Sequence, residues 1–120
     1  MSIFKSLFAK QEDEFSDFEW IPFLEEIQLE EILEQSKTKT IHVFKHSTRC
    51  GISSSVLRRY EKNRADKENE LYYYLDILRF RPISNFLASK FDITHQSPQL
   101  IVFKDKKVIH HTSHHSILDY

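Results

Sequence analysis

The sequence predicts one α/β domain with a central mixed sheet of four to five strands flanked by helices. Short apolar or β-branched segments alternate along the chain with segments of helical periodicity, which indicates strands joined by helical crossovers. Near the end, two short strands follow each other directly and predict an antiparallel hairpin. A chain of 120 residues has the usual size of one domain. We expect residues 1–16 to be an N-terminal lead-in and residues 17–120 to form the domain.

The individual elements follow from local periodicity. Pro22 limits the first strand to a short or edge position, because proline lacks the N–H group that a central ladder needs. The continuous apolar run 71–78 fits a strand that is covered on both faces. The predicted strands, in order, cover residues 18–23, 40–45, 71–78, 100–103 and 108–111. The predicted helices cover residues 28–36, 52–64, 83–91 and 113–118.

This sequence of elements is the order found in the thioredoxin fold. Helices between the early strands imply parallel crossovers, and the closing hairpin, with its turn at 104–107, adds an antiparallel edge. We therefore expect a thioredoxin-like domain.

Composition and charge exclude several classes of function. One glycine in the whole chain excludes a Gly-rich phosphate-binding loop. A net charge of −1 gives no reason to expect a nucleic-acid partner, and the longest apolar runs are too short for a membrane span. One cysteine cannot form an internal disulfide, and no secretory signal is visible, so we expect a cytoplasmic protein.

The charge is unevenly distributed around the lone cysteine. Residues 1–37 hold three basic and ten acidic residues, whereas residues 41–67 hold seven basic and two acidic ones. Cys50 lies in the basic stretch. Such a stretch is often only a solvated face, but basic surroundings also stabilise a thiolate and attract acidic ligands.

Cys50 is predicted to lie between a strand and the first turn of the next helix. The free N–H groups there, from Gly51, Ile52 and Ser53, and the helix dipole favour a nearby negative charge. A thiolate is therefore stabilised over the thiol and becomes a nucleophile. Arg49 adds positive charge beside it.

Three neighbours of Cys50 are expected to assist it. Lys45, and His46 when protonated, would add further positive charge. Ser53 occupies the place of the second cysteine in a C-x-x-C protein and could direct its hydroxyl at the sulfur.

A second candidate feature is Ser97-Pro98, immediately before the strand 100–103. Proline here either starts the strand or forms a cis peptide bond. With the predicted thioredoxin fold we expect the cis form, which in that fold packs beside the reactive thiol. The backbone of the preceding residue then pairs with an extended substrate, which is a form of strand addition.

Three motifs together carry a specific resemblance. The stretches H-S-T-R-C-G-I-S (46–53), R-P-I-S-N (81–85) and H-Q-S-P-Q-L (95–100) resemble the YtxJ-type monothiol bacilliredoxin family, and the similarity spans roughly residues 18–120. The usual family pattern is T-C-P-I-S or T-R-C-x-I-S, and this chain has Gly51 after the cysteine.

The resemblance implies that the protein removes bacillithiol, a bacterial low-molecular-weight thiol, from mixed disulfides with protein cysteines. Cys50 matches the catalytic cysteine, and Thr48, Ser97 and Pro98 match substrate-binding positions. The implied partners are S-thiolated client proteins and a low-molecular-weight thiol. Bacillithiol is then a co-substrate, and no tightly bound cofactor is expected. Arg49 would contact the carboxylates of bacillithiol.

The histidine run, the three consecutive tyrosines and Asp76 also have possible functional roles. The H-H-T-S-H-H run at 110–115 resembles a set of metal ligands, but consecutive residues of a strand point to opposite faces, so we expect no metal site there. Three consecutive tyrosines, 72–74, suggest base stacking, but their apolar setting favours core packing. Asp76 ends the central strand and lies either near the site or on the surface.

Two alternative functions remain open from the sequence. C-G-I-S is close to the C-G-F-S motif of monothiol glutaredoxins that carry an iron–sulfur cluster. Those proteins resemble one another through a Gly-Gly pair as well, which this chain lacks. The other alternative is an interaction module in which Cys50 is a redox sensor without turnover.

Overall fold

The computed structural model describes residues 18–64 and 69–120. The predicted lead-in, residues 1–16, lies outside the described residues. The described part forms strands and helices in the predicted order, followed by a short 3-10 helix. The elements are β1 (Ile21–Pro22), α1 (Gln28–Gln35), β2 (Thr40–His46), α2 (Gly51–Asn63), β3 (Glu70–Asp76), α3 (Arg81–Phe91), β4 (Gln99–Lys104), β5 (Lys107–Ser113) and the 3-10 helix (His114–Asp119).

The five strands form one mixed sheet in the order β1-β3-β2-β4-β5. Strands β1 and β2 both run parallel to β3, while β4 is antiparallel to β2 and to β5. Strand β2 is therefore the central strand. This sheet, flanked by helices, confirms the predicted fold class.

Each face of the sheet buries its own apolar cluster. Helices α1 and α3 cover one face, while α2 and the 3-10 helix cover the other. The alternation of side chains along a strand sends successive residues of β2 to opposite clusters. The first cluster contains Leu29, Ile32, Val43, Leu75, Ile83, Leu87, Ile101 and Phe103. The second contains Phe44, Val56, Tyr60, Tyr72, Leu100, Val102 and Ile117.

The structure corrects several predicted boundaries. Strand β3 ends at Asp76 rather than residue 78, because the Asp76 carboxylate accepts hydrogen bonds from the N–H groups of Leu78 (3.0 Å) and Arg79 (3.3 Å) and turns the chain toward α3. The hairpin turn has only two residues outside the strands, Asp105 and Lys106. Both have positive φ, 53° and 66°, which suits the twist of a tight hairpin.

In the parts of the chain that the structure describes, no helix combines the length and the apolar character that a membrane span requires.

Candidate functional site

Cys50 lies where the central strand gives way to α2. A turn connects the two elements, and the Cys50 N–H donates to the Ser47 carbonyl across it at 3.2 Å. Cys50 is the N-cap residue of α2, with extended backbone angles (φ −107°, ψ 119°), and it is partly exposed. The one thiol of the chain thus stands at the start of a 13-residue helix and within reach of solvent.

The three residues after Cys50 supply the free N–H groups of the helix start. Ser54 makes the first helical hydrogen bond, from its N–H to the Cys50 carbonyl at 3.0 Å. The N–H groups of Gly51, Ile52 and Ser53 come before that bond and are unsatisfied by the helix itself. Gly51 and Ile52 are exposed, whereas Ser53 is fully buried.

The buried Ser53 hydroxyl ties the helix start to the strand. Its oxygen accepts a hydrogen bond from the Ser47 N–H at 3.1 Å and lies 2.7 Å from His46 Nδ1. The hydrogen bonds of the hydroxyl are therefore to the end of β2, which differs from the expectation that it would point at the sulfur. Ser53 fixes the turn that carries Cys50.

His46 does not supply the positive charge that the sequence suggested. Its side chain is 4% exposed. Burial lowers the pKa of His46 to about 4, and the nearby Asp76 carboxylate opposes this shift only in part. The imidazole is therefore neutral at physiological pH. The basic composition of the segment suggested a charged His46, because the burial of a single side chain cannot be seen from composition.

Lys45 is also placed differently from the expectation. Its side chain alternates to the sheet face opposite α2 and is completely buried, with Nζ 3.3 Å from the Ser84 carbonyl. Burial, with a smaller effect from Arg81, lowers the pKa of Lys45 to about 8. Lys45 belongs to the core beneath α3 and does not lie on the face where Cys50 begins α2.

The loop between β3 and α3 lies beside the turn that carries Cys50. Thr48 and Arg49 are exposed on that turn, and they line a shared cavity with residues at the end of β3 and in the loop after it. Asp76 is one of these, so it lies near the site. Leu78 and Arg79 also line the cavity and were not among the residues expected from the sequence. The parallel pairing of β2 with β3, with His46 opposite Asp76, is the signal that could have found them, since ends of parallel strands share one edge.

Ser97 and Pro98 lie on the other side of β2. Strands β2 and β4 pair as far as Lys45 opposite Gln99, and Ser97-Pro98 immediately precedes Gln99. The Ser97-Pro98 peptide bond is cis. The Pro98 carbonyl accepts a hydrogen bond from the His114 N–H at 3.0 Å. The two residues therefore lie next to the point where β2 leaves the sheet toward Cys50.

The remaining candidates are the histidines of 110–115 and the tyrosines of 72–74, and of these His114 meets the site through its backbone N–H bond to Pro98. His110 stacks on Tyr120 with the ring centroids 4.5 Å apart, and His111, His114 and His115 are exposed. Residues 18–64 and 69–120 contain no cluster of three or more side chains able to hold a metal ion. Of the three tyrosines, Tyr72 and Tyr73 are buried in the two core clusters.

Comparison with solved structures gives the same fold. A thioredoxin-fold protein named only provisionally as an oxidoreductase is 27% identical, with a TM-score of 0.73, and the match covers 82% of this chain and 87% of that one. Thioredoxin from Trypanosoma brucei brucei is 16% identical, with a TM-score of 0.66 and coverage of 85% and 84%. The thioredoxin pre-protein of Schistosoma mansoni is 22% identical, with a TM-score of 0.65 and coverage of 84% and 90%. The predicted thioredoxin fold is confirmed.

A family model gives a closer assignment than these structures. The model for monothiol bacilliredoxin BrxC matches residues 22–119, which is most of the chain. Together with the oxidoreductase-like neighbour, this match supports a thiol redox function. It also confirms the resemblance carried by the motifs around Cys50, α3 and Pro98. The chain belongs to the monothiol bacilliredoxin BrxC family.

Proposed function

We propose that the protein is a monothiol thiol–disulfide oxidoreductase that removes bacillithiol, or a similar low-molecular-weight thiol, from protein mixed disulfides. The observation that carries the proposal is the position of Cys50. It is the one cysteine of the chain, partly exposed, at the N-cap of α2 and at the end of the central strand. Family membership supports this exchange chemistry over the carriage of an iron–sulfur cluster.

The start of α2 favours the nucleophilic form of the cysteine. The unsatisfied N–H groups of Gly51, Ile52 and Ser53 and the positive end of the helix dipole stabilise a thiolate at the N-cap. Arg49, exposed on the adjoining turn, adds a positive charge that also suits the carboxylates of bacillithiol. The three N–H groups and the Arg49 guanidinium thus stabilise the thiolate electrostatically.

The exchange then proceeds in two displacements. The Cys50 thiolate attacks the bacillithiol-side sulfur of the mixed disulfide, the S–S bond breaks, and the client leaves as its own thiolate. Cys50 is left in a disulfide with bacillithiol. Ser53 cannot resolve this adduct, because a hydroxyl does not take part in thiol exchange. A second, free thiol attacks the adduct and restores the Cys50 thiolate.

The client protein is proposed to approach along the Ser97-Pro98 side of the site. The backbone N–H and C=O groups of Ser97 would pair with an extended client segment, as in strand addition. Pro98, buried next to the end of β2, would hold the Ser97 backbone in position, and Thr48, exposed on the turn before Cys50, would contact the substrate near its disulfide. The proposed setting is a bacterial cytoplasm, with no tightly bound cofactor.

Catalytic release of a client thiol tests this proposal. A small protein with one bacillithiolated cysteine is incubated with catalytic amounts of the chain and excess free bacillithiol, and the released thiol is followed over time. We expect many client thiols released per protein chain, and none above background with Cys50→Ser. Modification of Cys50 without release of client thiol would contradict turnover and support the redox-sensor alternative.

A further inference from the structure

A cavity of about 430 Å³ opens beside the turn that carries Cys50. This volume lies within the range of roughly 300–1,000 Å³ that small-molecule sites occupy. One wall comes from the turn between β2 and α2, and the other comes from the loop between β3 and α3. The lining residues are Thr48, Arg49, Asp76, Leu78 and Arg79.

The lining side chains carry both signs of charge. Arg49 and Arg79 are exposed and come from different loops, and neither has an ion-pair partner within the described residues. Arg79 is held over the Phe80 ring, 5.5 Å from its centroid. A guanidinium is planar and binds a carboxylate through two parallel hydrogen bonds, so two arginines in one cavity favour an acidic ligand.

Asp76 gives the cavity one fixed negative group. Its Oδ1 accepts the hydrogen bonds from the N–H groups of Leu78 and Arg79, which hold the carboxylate in place. No cation forms an ion pair with it within residues 18–64 and 69–120. The second carboxylate oxygen is thus available to an ammonium group of a ligand.

The position of the cavity separates it from the proposed client site. Strand β2 lies between β3 and β4, so the turn that carries Cys50 has a neighbour on each side. The cavity lies on the β3 side, while Ser97 and Pro98 lie on the β4 side. A mixed disulfide consists of a small-molecule half and a client half. The cavity on the β3 side can hold the small-molecule half while the Ser97-Pro98 side holds the client.

We propose that this cavity binds the small-molecule half of the disulfide, with Arg49 and Arg79 binding its carboxylate groups and Asp76 binding its ammonium group. The inference rests on the exchange at Cys50 proposed above and adds the place where the small molecule binds and two residues, Asp76 and Arg79, that select it by charge. The attacked sulfur is the one on the small molecule, so the adduct on Cys50 is formed beside the cavity. The client thiolate leaves on the other side, and no further oxidant or reductant takes part.

Three small symmetrical disulfides that differ in charge test the proposal. They are dithiodipropionate, with two carboxylates, hydroxyethyl disulfide, which is neutral, and cystamine, with two ammonium groups. The single-turnover rate of adduct formation on Cys50 is measured by mass spectrometry for the intact chain with each. The measured quantity is the ratio of rates within one variant, which cancels any general change in the reactivity of the thiol.

We expect the wild type to prefer dithiodipropionate to the neutral disulfide, and Arg79→Ala to lower this preference about three- to fivefold, the usual effect of one exposed ion pair. Asp76→Asn keeps the Oδ1 acceptor and removes the charge, so the preference for dithiodipropionate over cystamine should rise about threefold. Arg59→Ala is the matched control. Arg59 is exposed on α2, about 14 Å along the helix from Cys50, and its loss should leave the ratios unchanged.

Equal ratios in Arg79→Ala, Arg59→Ala and the wild type would overturn the cavity proposal while leaving exchange at Cys50 intact. If the wild type reacts with all three disulfides no faster than free cysteine does, the proposed function itself fails, and the cavity proposal fails with it.

Discussion

His46 Nδ1 and Ser53 Oγ lie 2.7 Å apart, buried beneath the first turn of α2. Ser53 stands three residues after Cys50, where a dithiol protein has its second cysteine. The same oxygen accepts the Ser47 N–H, and the Ser47 carbonyl accepts the Cys50 N–H. One hydroxyl therefore connects the strand, the turn and the helix that together place the thiol.

Loss of that hydroxyl should destabilise the protein. Ser53→Ala leaves His46 Nδ1 and the Ser47 N–H buried without a partner, which costs about 2 kcal/mol of unfolding free energy. Urea denaturation of both proteins measures the difference. Ser55→Ala, at an exposed position of the same helix, is the control and should change the unfolding free energy by no more than about 0.5 kcal/mol. Equal effects of the two substitutions would show that the hydrogen bonds of Ser53 contribute nothing.

The neutral state of His46 should appear in the acid stability. The pKa of this histidine is about 4 in the folded chain against 6.5 as its ordinary value. Between these values the unfolded chain binds a proton that the folded chain does not, so stability falls as the pH falls through this window. The free energy of unfolding falls between about pH 7 and pH 4.5, and His46→Asn should make this fall smaller by about 1–3 kcal/mol.

The exposed His111 provides the control for this titration. His111→Asn should leave the pH dependence as it is in the wild type. An unchanged slope in His46→Asn as well would mean that His46 is already charged, or exposed, in the folded protein.

Because of Lys45, the free energy of unfolding should be higher in mild alkali than at neutral pH. Its pKa is about 8 when folded and 10.5 as the ordinary value, so between these values the unfolded chain holds the extra proton. Stability therefore rises as the pH increases from about 8 to about 9.5. Lys45→Met removes a buried charge that has a single hydrogen bond. We expect this substitution to raise the free energy of unfolding by about 1–2 kcal/mol near neutral pH and to abolish its further rise in alkali.

Chemical denaturation at several pH values measures both effects of Lys45→Met. Lys62→Met, at an exposed position of α2, should reproduce the wild-type pH profile. A large destabilisation by Lys45→Met at neutral pH would show that the ammonium group is required in the core.

Gly51 allows the contribution of one N–H group to be isolated. A Cβ at this position meets no atom within 4 Å, and the residue is the first of α2. Alanine and proline should both be accepted there and should stabilise the chain by about 0.4–1 kcal/mol, and the extended backbone of Cys50 is compatible with a following proline. Only Gly51→Pro removes the N–H group of the first residue of α2.

We therefore expect Cys50 in Gly51→Pro to react more slowly with iodoacetamide at neutral pH than Cys50 in Gly51→Ala, by about two- to fivefold, the usual effect of one interaction between a negative charge and the start of a helix. Equal alkylation rates in these two variants would remove Gly51 from the residues that stabilise the thiolate.

Much of the fold followed from the sequence, because each strand and helix has a local pattern. The amphipathic spacing of Leu29, Ile32 and Leu33 and the apolar run of β3 were sufficient to predict their elements. Ends of elements were less certain, since they depend on side chains that reach across a turn, as Asp76 does to Leu78 and Arg79.

The site was predictable only in part. Cys50 at a strand-to-helix junction could be found from neighbouring residues alone. The neutral His46, the buried Lys45 and the cavity with Arg79 could not, because each depends on which elements pack together. Local sequence gives the alternation along β2 but does not say which of its two faces lies under α2.

The intact mass of the chain after a single turnover shows whether Cys50 itself takes up the small thiol. The reduced protein is mixed with an equal amount of a client that carries one bacillithiol, and both masses are read without added free thiol. We expect bacillithiol to be transferred to Cys50 and the client to return to its free mass. A client that keeps its bacillithiol while Cys50 stays unmodified would show that Cys50 does not carry out the exchange.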